Sequence, residues 1–309
     1  MIETRLVYGF LDAGKTTYIQ DCIRNDFFHK YGSTLILCFE QGEAEYDTEA
    51  LAEKRTAVAY YEGGEDVRAF CTRSIEAYRP DRIYVEMNAM MPDLRAQLPA
   101  CMRIDSAVTW IDWGTMELYF RNFRQMINEM VAQSLQVTFR GCPSRELLAP
   151  YSQAFRLMNQ RASYLRQDPM GYHEKAFDLF LPFSLEAHEI PIPEGHYLAL
   201  WLDAQDHPEH YEGKTICFSD PLELRLDGTE GRWSAGRVVM TCCMADLQYM
   251  AFALEPGTDT PKEGWAVLRG AARVETDSYG RKKLTLKPVC IRLASPPGAL
   301  ILGSDRMTP

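Results

Sequence analysis

The chain has 309 residues, of which 46% are hydrophobic and 25% charged, and its formal net charge is -10 at pH 7. This length allows two domains that each bury a core, while the acidic balance argues against nucleic-acid binding, which needs a basic face. No apolar run approaches the length of a membrane span, and the first predicted strand begins too early for a signal peptide. We therefore expect a cytoplasmic protein that does not itself span a membrane, with its nine cysteines reduced.

The first predicted element is a strand at residues 5–8, which runs directly into a phosphate-loop motif. Residues 9–16 read GFLDAGKT and match G-x-x-x-x-G-K-[ST], and a predicted helix follows at residues 17–23. The motif requires this strand–loop–helix setting, because glycines turn N–H groups towards phosphate oxygens and the helix N-terminus favours negative charge. We expect Lys15 to reach the terminal phosphates and Thr16 to face Mg²⁺; the alternative is a glycine turn with a chance lysine. The predicted nucleotide-binding residues are Gly9, Asp12, Ala13, Gly14, Lys15, Thr16, Thr17 and Glu40.

The next predicted elements alternate between strands and helices. Strands are predicted at residues 33–39, 57–61, 82–86 and 107–112, with helices at 66–78 and 116–134. This alternation predicts an α/β domain with a mostly parallel sheet covered on both faces. Ligands of such sheets bind beyond the carboxyl ends of the strands. The residues expected to converge there, on the bound phosphates, are Gly9, Glu40, Glu86 and Asp112.

The acidic residues at these strand ends have different predicted roles. Glu86 is predicted to hold Mg²⁺ or its water as the second carboxylate of a phosphate-loop enzyme, the alternative being a solvated strand-end glutamate. Glu40 and Glu43 belong to the segment 40–47, which is either a switch loop on the γ-phosphate side or a solvated acidic loop. Asp112 is predicted to cap the following helix, with a catalytic role as the alternative.

These residues resemble a known family over about the first half of the chain. GFLDAGKTT at residues 9–17 is similar to the GFLGAGKTT of the CobW/UreG/HypB class of P-loop GTPases, which serve metal insertion and trafficking. EQGE at 40–43 with Asp47 resembles the N-E-x-G-E…D loop of that class, and RPDRIYVE at 79–86 resembles its P-D-x-I-x-x-E strand, with Pro92 similar to the proline that follows. The resemblance implies a GTPase that converts GTP and water to GDP and phosphate in metal homeostasis.

The chain also departs from that class at several positions. Residues 60–65 read YYEGGE where CobW proteins carry a C-x-C-C metal motif, so the metal site of that class is absent or moved. Phe39 replaces the loop asparagine, and residues 140–143 read RGCP where the base-reading N-K-x-D is expected. The aspartate of that motif accepts two hydrogen bonds from guanine. A preference for GTP over ATP is therefore implied by the resemblance alone.

The middle of the chain gives weaker signals. Residues 151–166 have helical spacing, and the proline-broken segment after them is predicted to connect two domains, with one strand at residues 197–201. His207 and His210 flank a proline, which prevents the helical spacing that metal-binding histidine pairs favour. We interpret them as solvated surface histidines.

The last part of the chain is predicted to be all-β. Short alternating runs between residues 215 and 293 suggest a small OB-like β-barrel. Its stretches YEGKT (211–215), VVMTCCMAD (238–246) and GWAVLRG (264–270) are similar to the C-terminal domain of an uncharacterised bacterial family of permease-associated soluble subunits. The resemblance implies association with a permease component, in a system concerned with metal supply.

Cys242 and Cys243 are the candidate metal ligands of this barrel. Adjacent residues of a strand project to opposite faces, so one strand does not easily present both thiols to a single tetrahedral ion. One thiol is predicted to be core and the other exposed to a metal such as Zn²⁺, to a redox partner or to nothing. No cluster of ligands supports the zinc site.

The predicted organisation is a CobW-like P-loop domain at 1–168, a connecting segment at 169–212, a small β-barrel at 213–300 and a tail at 301–309. The leading hypothesis is an NTP hydrolase using Lys15, Thr16 and Glu86, in which GTP or ATP with Mg²⁺ changes how the barrel meets a protein partner. The rivals are a non-hydrolysing nucleotide-dependent adaptor and a metallochaperone that uses Cys242 or Cys243.

Overall fold

A computed structural model describes residues 1–25, 32–178, 181–226, 232–240, 247–255, 263–276 and 280–302. The chain divides into two compact units. The first unit comprises Met1–Leu148 and Arg161–Phe177, and the second comprises Ala149–Gln160 and Asp178–Pro309. Cys242 and Cys243 lie outside the described residues. Among those described, no helix is both long and apolar enough to cross a membrane.

The first unit is built from strands and helices that alternate over most of its length. Its strands are β1 (Ile2–Tyr8), β2 (Thr34–Cys38), β3 (Thr56–Tyr60), β4 (Arg82–Glu86), β5 (Met102–Asp112), β6 (Gln136–Arg140), β7 (Ser163–Gln167) and β8 (His173–Lys175). Its helices are α1 (Lys15–Arg24), α2 (Thr48–Glu53), α3 (Val67–Tyr78), α4 (Leu94–Gln97), α5 (Trp113–Asn122) and α6 (Arg124–Ala132).

All eight strands of this unit form one sheet in the order β3-β2-β4-β1-β5-β6-β7-β8. Every neighbouring pair is parallel except β7 and β8. The register places Val7 and Cys38 beside Glu86. The carboxyl ends of β1, β2 and β4 therefore lie at the same level, as ligand binding at that edge requires. The predicted α/β class with a mostly parallel sheet is confirmed.

The core explains why these segments form a parallel sheet. Strands β2 and β4 are buried along their whole length, which is typical of parallel strands covered on both faces. Ile19 and Ile23, on one face of α1, pack in a cluster with Ile36 and Tyr84 of the central strands. This packing holds the first turn of α1 close to the strand ends.

The predicted long helix at residues 116–134 is instead two helices, α5 and α6. Phe123 separates them with φ −128°, outside the helical range. Its ring lies 6.0 Å from that of Phe10 and 5.9 Å from that of Tyr119. Aromatic packing at this position thus accompanies a break that the helical period of the sequence does not reveal.

The second unit contains helices α7 (Ser152–Met158) and α8 (Tyr197–Asp206), and 3-10 helices at Ala149–Tyr151 and Pro208–Tyr211. The strand predicted at residues 197–201 is wrong, because this run lies in α8. Nearly all of its side chains are buried, and a short, wholly apolar run does not distinguish a buried strand from a buried helix. The strands of this unit are β9 (Glu189–Ile192), β10 (Thr215–Phe218), β11 (Leu222–Leu226), β12 (Trp233–Met240), β13 (Leu247–Leu254), β14 (Gly264–Thr276), β15 (Lys282–Leu293) and β16 (Ile301–Leu302).

Five of these strands close into a barrel in the order β11-β12-β13-β15-β14, with β14 pairing back to β11. Only the β13–β15 pair of this ring is parallel. Closure removes unpaired edges, and the apolar core includes Leu222, Leu224, Ala235, Phe252, Leu268 and Leu286. The predicted separate all-β barrel is confirmed. The predicted limits at 168, 212 and 300 stay a prediction; α7 and α8 both belong to the second compact unit.

Candidate nucleotide-binding site

The loop between β1 and α1 depends on its two motif glycines. Gly9 has φ +149° and Gly14 has φ +100°, conformations that other residues rarely adopt. A Cβ atom on Gly9 would lie 2.5 Å from the carbonyl oxygen of Trp110, and one on Gly14 would lie 2.8 Å from Cδ of Arg140. Position 9 therefore requires glycine for backbone conformation and for space, whereas position 14 requires it for backbone conformation, because the Arg140 side chain can shift.

Lys15 begins α1 and is almost completely buried, with 3% of its surface exposed. Its ammonium group donates to the carbonyl oxygens of Gly9 at 3.1 Å and Phe10 at 2.8 Å. It also donates to Oε2 of Glu40 at 2.5 Å. All three ammonium hydrogens thus have acceptors, and the Glu40 carboxylate supplies the negative charge that a buried cation needs.

Glu40 comes from the segment 40–47 after β2, which we call the acidic loop, and this loop lies against the phosphate loop. The backbone N–H of Glu43 donates to Oδ1 of Asp12 at 2.9 Å. A Cβ atom on Gly42 would lie only 2.3 Å from the same oxygen. Glycine at position 42 thus permits the close approach by which Glu40 reaches Lys15.

Glu86 ends β4 and is 3% exposed. Its Oε1 accepts a hydrogen bond from the Thr16 hydroxyl at 2.8 Å, and its Oε2 accepts one from the Tyr46 hydroxyl at 2.5 Å. Burial raises the pKa of Glu86, while the hydrogen bonds from Tyr46 and Thr16 act in the opposite direction. The structure therefore brings Thr16 and Glu86 together, as the sequence predicts.

Two partners of Glu86 are not predicted from the sequence. Burial and the nearby Glu86 carboxylate raise the pKa of the Cys38 thiol to about 12, and the same two causes raise the pKa of Tyr46. Both groups therefore remain neutral at neutral pH. The Cys38 sulfur lies 3.0 Å from the Glu40 carbonyl oxygen and 3.7 Å from Glu86 Oε2. The only sequence signal for Cys38 is its position at the end of β2, and Tyr46 gives none.

A cavity of about 140 Å³ lies between the phosphate loop and the acidic loop. Gly9 and Ala13 lie outside its lining, Ala13 as a buried residue that bonds the Phe10 carbonyl. Asp112 instead caps α5, accepting from the Thr115 N–H at 3.1 Å. The predicted residues that line the cavity are Asp12, Gly14, Lys15, Thr16, Thr17, Glu40 and Glu86.

Arg140 also lines this cavity, although the sequence motifs predict no role for it. It ends β6, and its guanidinium donates to the carbonyl oxygen of Asp12 at 3.1 Å. The available signal is a basic residue at the carboxyl end of a parallel strand, where ligands bind. Arg140 places a permanent positive charge at the phosphate loop, in the segment where the N-K-x-D motif is missing.

A second cavity of about 490 Å³ shares Gly14, Thr17 and Arg140 with the first, and we call it the side cavity. Trp110 is 4% exposed, and its indole N–H has no hydrogen-bond partner among the described residues. A buried donor without a partner is rare in folded proteins. The other side chains around the side cavity are aromatic or polar and include those of Tyr18, Asp21, Gln136, Gln167 and His173.

Comparisons with known proteins add distant similarities only. No protein-family model matches the chain, and no curated protein matches it. Among solved structures, the hydrogenase maturation factor HypB from Archaeoglobus fulgidus is 13% identical over 54% of this chain and 81% of that chain, with a TM-score of 0.38. A Zn(II)-bound triple mutant of the YjiA GTPase is 14% identical over 84% of this chain and 90% of that chain, with a TM-score of 0.40. The signal recognition particle receptor FtsY from Elizabethkingia anophelis is 11% identical over 45% of this chain and half of that chain, with a TM-score of 0.32.

Proposed function

We propose that this protein binds a nucleoside triphosphate with Mg²⁺ and hydrolyses its terminal phosphate. The observation that carries the proposal is the constellation at one sheet edge: Lys15 and Thr16 begin α1, and the Thr16 hydroxyl lies 2.8 Å from the Glu86 carboxylate. A cation, a hydroxyl and a carboxylate in this arrangement are the parts that phosphate-loop enzymes use to position phosphates and metal.

The first step is an exchange of anions on Lys15. In the free protein the Glu40 carboxylate is bonded to the ammonium group. A phosphate entering the cavity offers Lys15 more negative charge and more acceptor oxygens than one carboxylate. Glu40 therefore leaves Lys15 when nucleotide binds, and the acidic loop moves with it, which is how we propose that this loop reports the nucleotide state.

Thr16 and Glu86 would hold the Mg²⁺ ion. Their donor set fits, because a hydroxyl and a carboxylate oxygen are the hard ligands that Mg²⁺ prefers. When bound, Mg²⁺ neutralises charge on the phosphate oxygens. Glu86 keeps its orientation through the hydrogen bonds from Tyr46 and Thr16, and Lys15 and Arg140 add fixed positive charge beside the transferred phosphoryl group.

We propose GTP as the nucleotide, with ATP as the alternative. The resemblance of the first half of the chain to P-loop GTPases supports guanine, whereas the absence of N-K-x-D at residues 140–143 removes the usual reason for selectivity. The side cavity adjoins the phosphate cavity and would hold the nucleoside portion. Its polar lining, which includes Gln136, Gln167 and His173, supports this placement.

For the second unit we propose an OB-like barrel that binds a protein partner, a permease component concerned with metal supply. The order β11-β12-β13-β15-β14 with closure onto β11 supports an OB-like connection. The partner rests on the sequence resemblance of this part of the chain alone. This partner is tested by co-purification of a permease component with the tagged full-length chain, from cells that express both. The amount of permease recovered with the wild type would be compared with the amount recovered with the barrel variant Trp233→Ala.

Hydrolysis is tested by phosphate release from GTP and from ATP with Mg²⁺, in the wild type and in Lys15→Ala. We expect wild-type release to depend on Mg²⁺ and the Lys15→Ala rate to fall by about 100-fold or more. Lys54→Ala is the matched control, because Lys54 is exposed beyond the end of α2, and it should not change the rate. Wild-type protein that binds nucleotide but never releases phosphate would select the non-hydrolysing adaptor instead, which the missing base-reading motif favours.

A further inference from the structure

The end of α8 in the second unit gathers two histidines that sequence analysis places on the surface. Helix α8 stops at Asp206, and Pro208 opens the 3-10 helix Pro208–Tyr211. The N–H of His210 donates to the His207 carbonyl at 3.1 Å. Residues three apart lie above one another in 3-10 geometry, and the two imidazole rings are stacked with centroids 4.8 Å apart. Pro208 therefore starts the turn that brings the two imidazoles together, although their spacing is that of a 3-10 helix and not of an α-helix.

A carboxylate completes the group on the same turn. Oε1 of Glu209 lies 3.4 Å from Nδ1 of His207. Each of His207, Glu209 and His210 offers one ligand atom, and these three atoms all lie within 4.8 Å of one another. Ligands of a tetrahedral ion with metal–nitrogen bonds near 2.0 Å stand roughly 3.3 Å apart. The exposed side chains of this turn need only small adjustments to reach that spacing.

A buried carboxylate fixes the orientation of His210. Oδ2 of Asp203 lies 2.9 Å from Nδ1 of His210 and accepts from the Tyr211 hydroxyl at 2.8 Å. The Asp203 side chain is only 8% exposed. An imidazole that donates its Nδ1 hydrogen to a carboxylate presents the lone pair of Nε2 outward, and this carboxylate–histidine pairing is the usual support of a metal-ligating histidine.

We propose that His207, Glu209 and His210 form a binding site for one divalent transition-metal ion of the zinc type, with Asp203 as the positioning residue. Two imidazole nitrogens and one carboxylate oxygen suit zinc and its first-row neighbours, whereas Mg²⁺ and Ca²⁺ take oxygen ligands and Cu(I) takes soft sulfur ligands. Three protein ligands leave a coordination position for water or for a ligand from another molecule. Because His207 and Glu209 are exposed, the ion can be exchanged with solvent.

The site is tested by titrating the metal-free full-length chain with Zn²⁺ and with Co²⁺, whose visible absorption reports the ligand type. We expect about one ion per chain and a nitrogen–oxygen spectrum without thiolate charge-transfer bands. The variant His207→Ala removes a ligand without touching the Asp203–His210–Tyr211 bonds, so its folding is secure. It should lose this ion, while His188→Ala, an exposed histidine elsewhere in the unit, should retain it.

The role of Asp203 is tested with Asp203→Asn, which should weaken Zn²⁺ binding by about 10-fold or more while leaving the stoichiometry unchanged. Two results would overturn the site. One is wild-type protein that binds no ion, in which case the turn is only a hydrogen-bonded helix end. The other is binding that survives His207→Ala and is lost in Cys243→Ser, which would assign the ion to a thiol. Neither result depends on nucleotide binding, so the metal site can be disproved without affecting the proposed function, and the reverse also holds.

Discussion

The phosphate site of the first unit and the histidine turn of the second place charged side chains in opposite environments. Lys15 and Glu86 are buried and the Glu40 side chain is only 10% exposed, and each is stabilised by bonds to the others or to their neighbours. His207 and Glu209 are more than half exposed, and only Asp203 beneath them is buried. A buried charge depends on its partners, whereas an exposed charge is stabilised by water. Substitutions should therefore act on both stability and binding at the first site, and on metal binding alone at the exposed His207 and Glu209 of the second.

The largest expected effect is that of Gly9→Ala. The added methyl group would lie 2.5 Å from the Trp110 carbonyl oxygen, and the alanine backbone would have to adopt φ +149°. The clash and the backbone strain together should lower the free energy of unfolding by roughly 3 kcal/mol. Urea denaturation measures the loss, and nucleotide titration should show no binding. Gly298→Ala is the control, because its Cβ meets nothing within 4 Å. Equal stability of the two variants would contradict the described loop geometry.

Glu40→Gln should have the next largest effect, because it should lower stability and at the same time tighten nucleotide binding. It leaves the ammonium group of Lys15 buried without its negative partner, which should lower the free energy of unfolding by about 3 kcal/mol. It also removes the anion that nucleotide must displace, so the Kd for the Mg²⁺–nucleotide complex should fall roughly tenfold. Glu43→Gln, at an exposed position of the acidic loop, is the comparison. Weaker binding in Glu40→Gln would mean that Glu40 contacts the nucleotide complex instead of blocking it.

Glu86→Gln should change the pH dependence of stability. Burial raises the pKa of Glu86 above its ordinary value of 4.5, so the folded state holds the proton more tightly than the unfolded state. Its contribution favours folding at low pH and is lost as the pH rises through the raised pKa. Denaturation midpoints measured from about pH 4.5 upward should therefore fall less steeply with rising pH in Glu86→Gln than in the wild type. A steeper decline in the variant would contradict this assignment.

The smallest expected effect is that of His207→Ala on stability. The exposed His207 side chain contacts Glu209, at 3.4 Å, and the stacked ring of His210. Its loss should change the free energy of unfolding by no more than about 0.5 kcal/mol in metal-free protein. Adding Zn²⁺ should then raise the melting temperature of the wild type but not of the variant. A large loss of stability without metal would remove the contrast between the two sites.

The contrast also explains how much the sequence could predict. Lys15, Thr16 and Glu86 follow from a contiguous motif and from the ends of parallel strands, since local pattern and topology determine their positions. Tyr46 and Arg140 reach the site through side-chain directions in loops and at a strand end, which no local pattern specifies. The same limit applies to the second unit, where a wholly apolar run at 197–201 does not distinguish helix from strand. The proline between His207 and His210 excludes α-helical spacing, but the sequence does not reveal that it starts a 3-10 turn that stacks the two rings.

The most direct test of the central claim is an equilibrium titration of the purified chain with fluorescently labelled GTP and ATP, with and without Mg²⁺, beside Lys15→Ala. The phosphate loop around Lys15 predicts saturable binding that Mg²⁺ strengthens and that Lys15→Ala abolishes. Wild-type protein that binds neither nucleotide, with or without Mg²⁺, would contradict the account.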